Sequence, residues 1–405
     1  MDASTSRSQA DLKYHNLKLI YSLIQDEGPI SRITLSKRAG LSATSLTRII
    51  NSLSEMGLVY EHSIDSLSNI GRPAMLLDIC PDAAYCLCID MAINCCKVTL
   101  TNMAGEFSAY REIYIHTGMS FTDLTDEIID VVPQLALEAN THTDRIICCG
   151  MSLTGHVLNE TGFIVASSQF KWIGIDVRGL LENRLNMPIY VENDCKSALM
   201  GEENLLANED SKVENLAYLQ LGWGGVGGAA IVDGKLLRGS RNAAGEIGHI
   251  TVQPEGEVCN CGHLGCFETM ISEHSVIQKA IQIDPSYDST TKISEGCKKG
   301  DDRLRPLLDV VGEYIAIAIN NLSCSYNPEI VILNGSLIID CQPCFESIKN
   351  HLKKRLLESI QPKLSIQIAK MGSNASLYGI GCIAKEKAID ILLKTKKGNR
   401  GFFES

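Results

Sequence analysis

Between His249 and Cys266 the chain sets one imidazole and three thiols: Gly-Glu-Ile-Gly-His at 245–249, then Cys-Asn-Cys-Gly-His-Leu-Gly-Cys-Phe-Glu at 259–268. No other stretch constrains the fold as tightly, because soft donors this close in sequence must converge by doubling the backbone on itself. The Cys-x-Cys step and the glycines at 262 and 265 permit the turn that aims the sulfurs inward. His249, Cys259, Cys261 and Cys266 form the donor set of a closed tetrahedral site, so one structural Zn2+ per chain is expected, with no position left for water. His263 and His274 compete for the imidazole role, but His263 lies inside the turn and His249 is better placed. Glu246 and Glu268 bracket the ligands without being needed by them. The metal therefore reads as a prop for a polar pocket rather than a reaction centre.

A chain of 405 residues holds two or three domains. The net charge of −11 argues against nucleic acid if spread evenly. It is not evenly spread: from Gly28 to Ser54 the charged residues are Arg32, Lys37, Arg38 and Arg48, with no acid among them. A basic island in an acidic protein is a footprint for phosphate. The 16 cysteines include the adjacent pairs 95–96 and 148–149 in apolar runs, which read as core thiols of a reducing cytoplasm. The N-terminus lacks a signal-peptide pattern and no apolar run reads as a membrane span, so no membrane partner is expected.

Residues 1–11 read as a loose tail and 12–80 as the first domain. Leu17, Leu19, Ile20, Leu23 and Ile24 recur at helical spacing up to Gly28-Pro29. A short helix over 33–39, a turn at Gly40-Leu41-Ser42 and a third helix over 43–56 follow, with Ser42 as N-cap and Gly57 as stop. The outward face of the third helix carries Thr44, Ser45, Thr47, Arg48 and Asn51, groups suited to a major groove. Strands at 59–63 and 74–79 around a polar loop complete a winged helix-turn-helix, with Arg72 on the wing. Arg32, Ser42, Thr44, Ser45, Thr47, Arg48 and Arg72 are the expected DNA contacts.

After Cys80-Pro81 the pattern turns α/β. Strands at 85–90, 96–102 and 107–116 precede a helix at 121–140, a strand at 145–150, a helix at 177–185 and a strand at 189–192. A second block starts with strands at 216–221 and 228–233 and ends with a helix around 303–324, a strand at 330–333, and helices at 345–357 and 375–393. This predicts a duplicated two-lobed domain, 81–194 and 195–395, with a ligand cleft between lobes and a tail at 396–405. Glu192-Asn193-Asp194 closes the last strand of the first lobe, where a carboxylate can accept a hydroxyl proton beside an orienting amide. Asn193 and Asp194 taken alone more often form a turn or helix cap. With Glu246, His249 and Glu268 they fit an uncharged polyhydroxylated ligand. The run Gly222-Trp223-Gly224-Gly225-Val226-Gly227-Gly228 reads either as a phosphate cradle or as a tightly packed hairpin.

Together these residues resemble the ROK family of sugar-responsive repressors and sugar kinases, over nearly the whole chain. The resemblance rests on the Gly248–Glu268 metal signature, Glu192-Asn193-Asp194, the Asn327-Pro328-Glu329 strand entry leading to Gly335, and, for the repressor branch, Gly28-Pro29-Ile30-Ser31-Arg32, Leu41-Ser42 and Gly71-Arg72-Pro73. It implies an actin/hexokinase-like (ribonuclease H-like) fold that binds sugar through Asn193, Asp194, Glu246, His249 and Glu268. In the family's kinases the counterpart of Asp194 is the catalytic base. Two departures oppose ATP binding: Asp90-Met91-Ala92-Ile93-Asn94 stands where kinases carry Asp-x-Gly-Gly-Thr, and Trp223 stands where a small residue is usual. The expected function is therefore non-enzymatic: a regulator, as dimer or tetramer, released from a palindromic double-stranded operator by a neutral sugar inducer. An ATP-dependent sugar kinase with an appended DNA-binding domain is the alternative, and a domain that answers to a protein partner is a third reading.

Overall fold

The computed structural model describes residues 9–63, 75–92, 94–116, 118–167, 169–207, 213–359 and 363–394. The wing loop with Arg72 and the C-terminal tail lie outside these residues.

Helix α1 (Gln9–Glu27), strand β1 (Ile30–Ser31), helices α2 (Arg32–Ala39) and α3 (Ala43–Glu55), and strands β2 (Val59–Ser63) and β3 (Met75–Ile79) form the N-terminal unit. Residues 9–11, read as tail, are already helical. Ser31 caps α2 and Ser42 caps α3, each accepting from a backbone N–H three residues on. Leu46, Ile50 and Leu53 turn the apolar stripe of α3 inward against Leu17, Ile20 and Ile24 of α1. The sheet order β1-β3-β2 confirms a winged helix.

The body follows as β4 (Tyr85–Met91), β5 (Cys95–Asn102), β6 (Phe107–Tyr114), α4 (Phe121–Glu138), β7 (Ile146–Leu153), β8 (His156–Leu158), β9 (Phe163–Ser167), β10 (Trp172–Asp176), α5 (Val177–Leu185), β11 (Ile189–Asn193) and α6 (Asp194–Ala207). Next come β12 (Leu216–Gly222), β13 (Gly225–Val232), β14 (Lys235–Leu236), α7 (Phe267–Ile271), α8 (Glu273–Ile283), α9 (Thr290–Lys298), α10 (Arg305–Tyr326), β15 (Ile330–Asn334), α11 (Ser336–Asp340), α12 (Gln342–Leu352), β16 (Ser365–Ile368) and α13 (Ala375–Lys394). The first sheet runs β11-β7-β4-β5-β6 and the second β14-β13-β12-β15-β16. In each, a three-strand antiparallel meander continues into two parallel strands. The duplication read from the sequence is thus present, with β14 and β16 completing the second sheet where the sequence pattern marked no strand. Short strands β8–β10 form a separate antiparallel sheet that the sequence reading missed.

Helix α13 does not stay with the second lobe, where the 195–395 boundary had put it. Its Ile380 and Ala384 pack against Cys86, Cys88 and Cys148 of the first sheet, and the Cys148 thiol donates to Ala384 O. Helix α6, which follows the first-lobe strand β11, packs instead on Tyr218 and Ala229 of the second sheet. The two helices cross between the sheets at Gly379, where a β-carbon would sit 1.6 Å from Ser197 O and 2.9 Å from Gly201 N. Only a residue without a side chain permits that approach.

Residues of the winged helix share one apolar cluster with α13. Tyr14 Oη donates to Asp390 (2.5 Å), and Lys18 pairs with Asp390 (2.8 Å) and Glu386 (3.3 Å). Helix α10, contrary to the sequence reading, is long and apolar enough to cross a bilayer by composition. Its Leu308, Val311, Ile315, Ile319 and Leu322 are core of the second lobe instead.

Candidate functional site

A cleft of about 740 Å3 opens between the lobes, and Asn193, Asp194, Glu246, His249 and Glu268 all line it. They come from three places: the β11–α6 junction, the loop after β14, and the start of α7. Asn193 is both cap and wall, since its Oδ1 accepts from Lys196 N while its amide donates to Gly155 O and Asp194 Oδ1. Asp194 opens α6, where the helix dipole favours its negative charge. Its Oδ1 accepts from Cys195 N, and its Oδ2 accepts from Thr154 Oγ1 at 2.8 Å. The carboxylate is thus fixed by three protein donors yet still borders the cleft. Thr154 was missed in the sequence; its signal is a hydroxyl one residue past a buried strand end.

Glu192 takes a different part from its neighbours. Buried to 2% exposure, it accepts from Arg238 Nε (3.1 Å) and Nη2 (2.9 Å), from Asn242 Nδ2 and from Asn193 N. Such a carboxylate is tolerable only because each oxygen is satisfied. Arg238 and Asn242 lie on the loop leading to Glu246, and Lys196 Nζ donates to Asn242 O. This buried network ties the Asn193–Asp194 wall to the Glu246–His249 wall.

Glu268 joins the remaining pieces. Its Oε2 accepts from Val226 N (3.4 Å) and its Oε1 faces the Cys259 thiol (3.4 Å). The glycine-rich run is the β12–β13 hairpin, with Gly222 opposite Gly225. Gly225 has φ +148°, and a β-carbon there would lie 2.4 Å from Glu268 Oε2. Packing on Glu268 accounts for this glycine, which favours the hairpin over the phosphate cradle. Asp90, Met91 and Asn94 line another part of the same cleft. Burial raises the Asp90 pKa to about 6, with Ser376 and Lys97 pulling it partly back and the Asp194 charge adding to the rise.

His249, Cys259, Cys261 and Cys266 place one donor atom each within 4.8 Å of one another. His249 Nδ1 lies 3.7 Å from Cys259 Sγ, and Cys261 Sγ lies 3.7 Å from Cys266 Sγ. These separations match the edges of a tetrahedron with metal–sulfur bonds of about 2.3 Å, about 3.7 Å long. Three thiols and an imidazole, with two of their separations on that scale and all within 4.8 Å, fit a soft divalent cation. His263 Nδ1 lies 3.5 Å from the Cys261 sulfur and is not part of the four-donor cluster.

On the winged helix, Thr44, Ser45, Thr47 and Arg48 are exposed on one face of α3. The Thr47 hydroxyl bonds back to Ala43 O, and Ser42 is committed to its capping bond. Arg32 is held by Glu61 at 2.6 Å, a pairing the acid-free run from 28 to 54 gave no hint of.

A profile described as the ROK family matches residues 86–387, and one described as winged helix-turn-helix DNA-binding matches residues 15–60. The xylose repressor of Caldicellulosiruptor bescii is 28% identical over 388 residues, covering 92% of this chain and 95% of its own. The glucokinase of Halalkalibacterium halodurans is 28% identical over 314 residues, covering 74% of this chain and 94% of its own. The crystal structure of a transcriptional regulator homologous to the Escherichia coli Mlc protein superposes with a TM-score of 0.81 at 24% identity, over 94% of this chain and 98% of that one.

Proposed function

The chain belongs to the ROK family, and on that premise we propose that it is a sugar-responsive, DNA-binding transcriptional repressor of the cytoplasm. One observation carries the reading: five sugar-compatible side chains from three separate segments line a single cleft, in a chain that also carries a winged helix. Its similarity to a protein named xylose repressor, over nearly the full length of both, supports the same view.

Asp194 and Asn193 hold one pair of sugar hydroxyls, and Glu246 and Glu268 another. His249 Nδ1 faces the sulfurs, so a metal bound there fixes Nε2 as a donor to a ligand oxygen. His249, Cys259, Cys261 and Cys266 would hold one Zn2+ per chain, which would close the 249–266 loop and so support Glu268, two residues past Cys266. Thr44, Ser45, Thr47 and Arg48 read the major groove, with Arg32, Ser42 and Arg72 at phosphates or in support. Two copies on a palindromic operator present their α3 helices about one helical turn apart.

Sugar weakens operator binding only insofar as it binds one lobe arrangement better than the other. The route runs from Asp194 along α6, across the Gly379 crossing to α13, and from Asp390 to α1. The alternative of a sugar kinase has the fixed Asp194 in its favour. Against it, Asp90, Met91, Ala92, Asn94 and Trp223 border the cleft, and the sequence there lacks the two glycines and the threonine of the kinases' first phosphate loop.

The test is operator binding by the full-length, zinc-loaded protein, titrated with neutral sugars with and without ATP. Release by a sugar, lost in Asp194→Ala and unaffected by ATP, supports the repressor. A phosphorylated sugar product returns the kinase; indifference to every neutral sugar sinks the sensing role.

A further inference from the structure

We propose that the cleft carries a second sugar subsite built on Trp223 and Gln169, and that the effector is consequently a disaccharide or longer oligosaccharide rather than one sugar ring. The proposal rests on the sugar-sensing reading above and specifies its ligand.

Trp223 sits at the tip of the β12–β13 hairpin and lines the cleft, leaving 44% of its surface exposed. The chain's other tryptophan, Trp172, is buried at 6%. The exposed indole is not loose: it meets the His274 ring edge-on, centroids 5.3 Å apart and planes at 81°. A large, oriented aromatic surface facing a polar cleft is a platform for the C–H face of a pyranose, which the electron-rich ring face attracts.

The second observation is independent of the first. Gln169, which comes from the opposite lobe, also lines the cleft, and its Nε2 is buried with no hydrogen-bond partner among the described residues. Its Oε1 lies 2.8 Å from where a β-carbon on Gly224 would stand, beside Trp223. A buried amide left without an acceptor is costly, and a ligand hydroxyl supplies one. An aromatic platform from one lobe and an orphan donor from the other thus meet at the same rim.

Space and charge choose the occupant. A single hexose at the packing density of organic crystals occupies roughly 200 Å3, well under the 740 Å3 available. Glu268, in the first subsite, is bonded to Val226 N, three residues beyond Trp223, so the two subsites adjoin through one hairpin. Six carboxylates and two lysines line the cleft. Both lysine ammonium groups are engaged, Lys97 by Ser373 O and Asn374 Oδ1 and Lys196 by Asn242 O. That surplus of negative charge disfavours a phosphate group and leaves a neutral second sugar. A ligand touching Gln169 and Trp223 together also bridges the lobes, which supplies the differential affinity that release from DNA needs.

Calorimetric titrations of the full-length, zinc-loaded protein with glucose, xylose and their α- and β-1,4-linked disaccharides test this. At least one disaccharide binds about tenfold tighter than its monosaccharide, the size of one aromatic contact. It also shifts tryptophan emission to the blue, a signal that comes from Trp223 because Trp172 is already buried. Trp223→Ala brings the disaccharide-to-monosaccharide affinity ratio to about one, Trp223→Phe keeps part of it, and Asp194→Ala abolishes binding of both. Equal affinities in the wild type, or a ratio unmoved by Trp223→Ala, overturn the subsite while leaving the sugar sensor standing. If no saccharide binds, both fall.

Discussion

Replacing Asp90 by asparagine should stabilise this protein at neutral pH, by an amount that shrinks as the solution is acidified. Asp90 is 2% exposed, and burial lifts its pKa from the ordinary 3.8 to about 6. Folded chains then hold the proton more tightly than unfolded ones, so they bind more protons between about pH 4 and pH 6. Stability is therefore lost as pH rises through that window, and the penalty is complete above it. The shift of about two units corresponds to about 3 kcal/mol at pH 7.5, and to about half of that at pH 5. Asparagine keeps the shape and carries no charge, so Asp90→Asn recovers most of the 3 kcal/mol at pH 7.5, about half at pH 5, and nothing below pH 4. Urea unfolding of both proteins across pH 4.5–8 measures the difference. A variant less stable than the parent at pH 7.5, or a gain of the same size at pH 5 and pH 7.5, would refute the reasoning.

Three further outcomes are expected. Stripping the metal with a chelator, or Cys261→Ser, should weaken sugar binding about 10- to 100-fold because Glu268 and His249 lose their support; sugar affinity that survives complete metal loss, followed by elemental analysis, rules out the propping role. Arg48→Ala should cut operator affinity about tenfold or more and relax the preference for operator over unrelated DNA, leaving sugar affinity unchanged; an unaltered gel shift would remove Arg48 from the interface. Gly379→Ala should cost about 1–3 kcal/mol in urea unfolding, because the α6–α13 crossing must open to admit a methyl group; a melt identical to the parent's would show that the crossing gives way freely.

The His249–Cys266 loop was the most legible part of the site, because its four candidate donors are close in sequence and their chemistry tolerates few substitutes. The winged helix was nearly as plain, since Ser42, Leu46, Ile50 and Leu53 mark cap and core at helical spacing. Strands β4–β7 and β12–β13 showed as apolar runs between turns. Strands β8–β10 did not, because they are only three to five residues long and the exposed Ile173 and half-buried Phe163 and Val165 blur the alternation around buried Val157, Ile164 and Trp172. Helix α6 was hidden for another reason: it begins inside the Asn193–Asp194 motif and buries polar residues, Lys196 and Glu202 among them. The Glu192–Arg238–Asn242 network and the Arg32–Glu61 pair join residues from about 30 to 50 positions apart. Such pairs leave no local pattern, since what selects them is the fold that brings them together.

The seat that Tyr14 and Lys18 find on Asp390 and Glu386 has a consequence for synthesis. The winged helix leaves the ribosome long before the helix that receives it. A nascent or truncated chain can fold its winged helix and still lack the surface that aims it. Correct posture on an operator is then reserved for chains translated through α13, and a copy cut short of it holds its place on DNA no better than a free winged helix would.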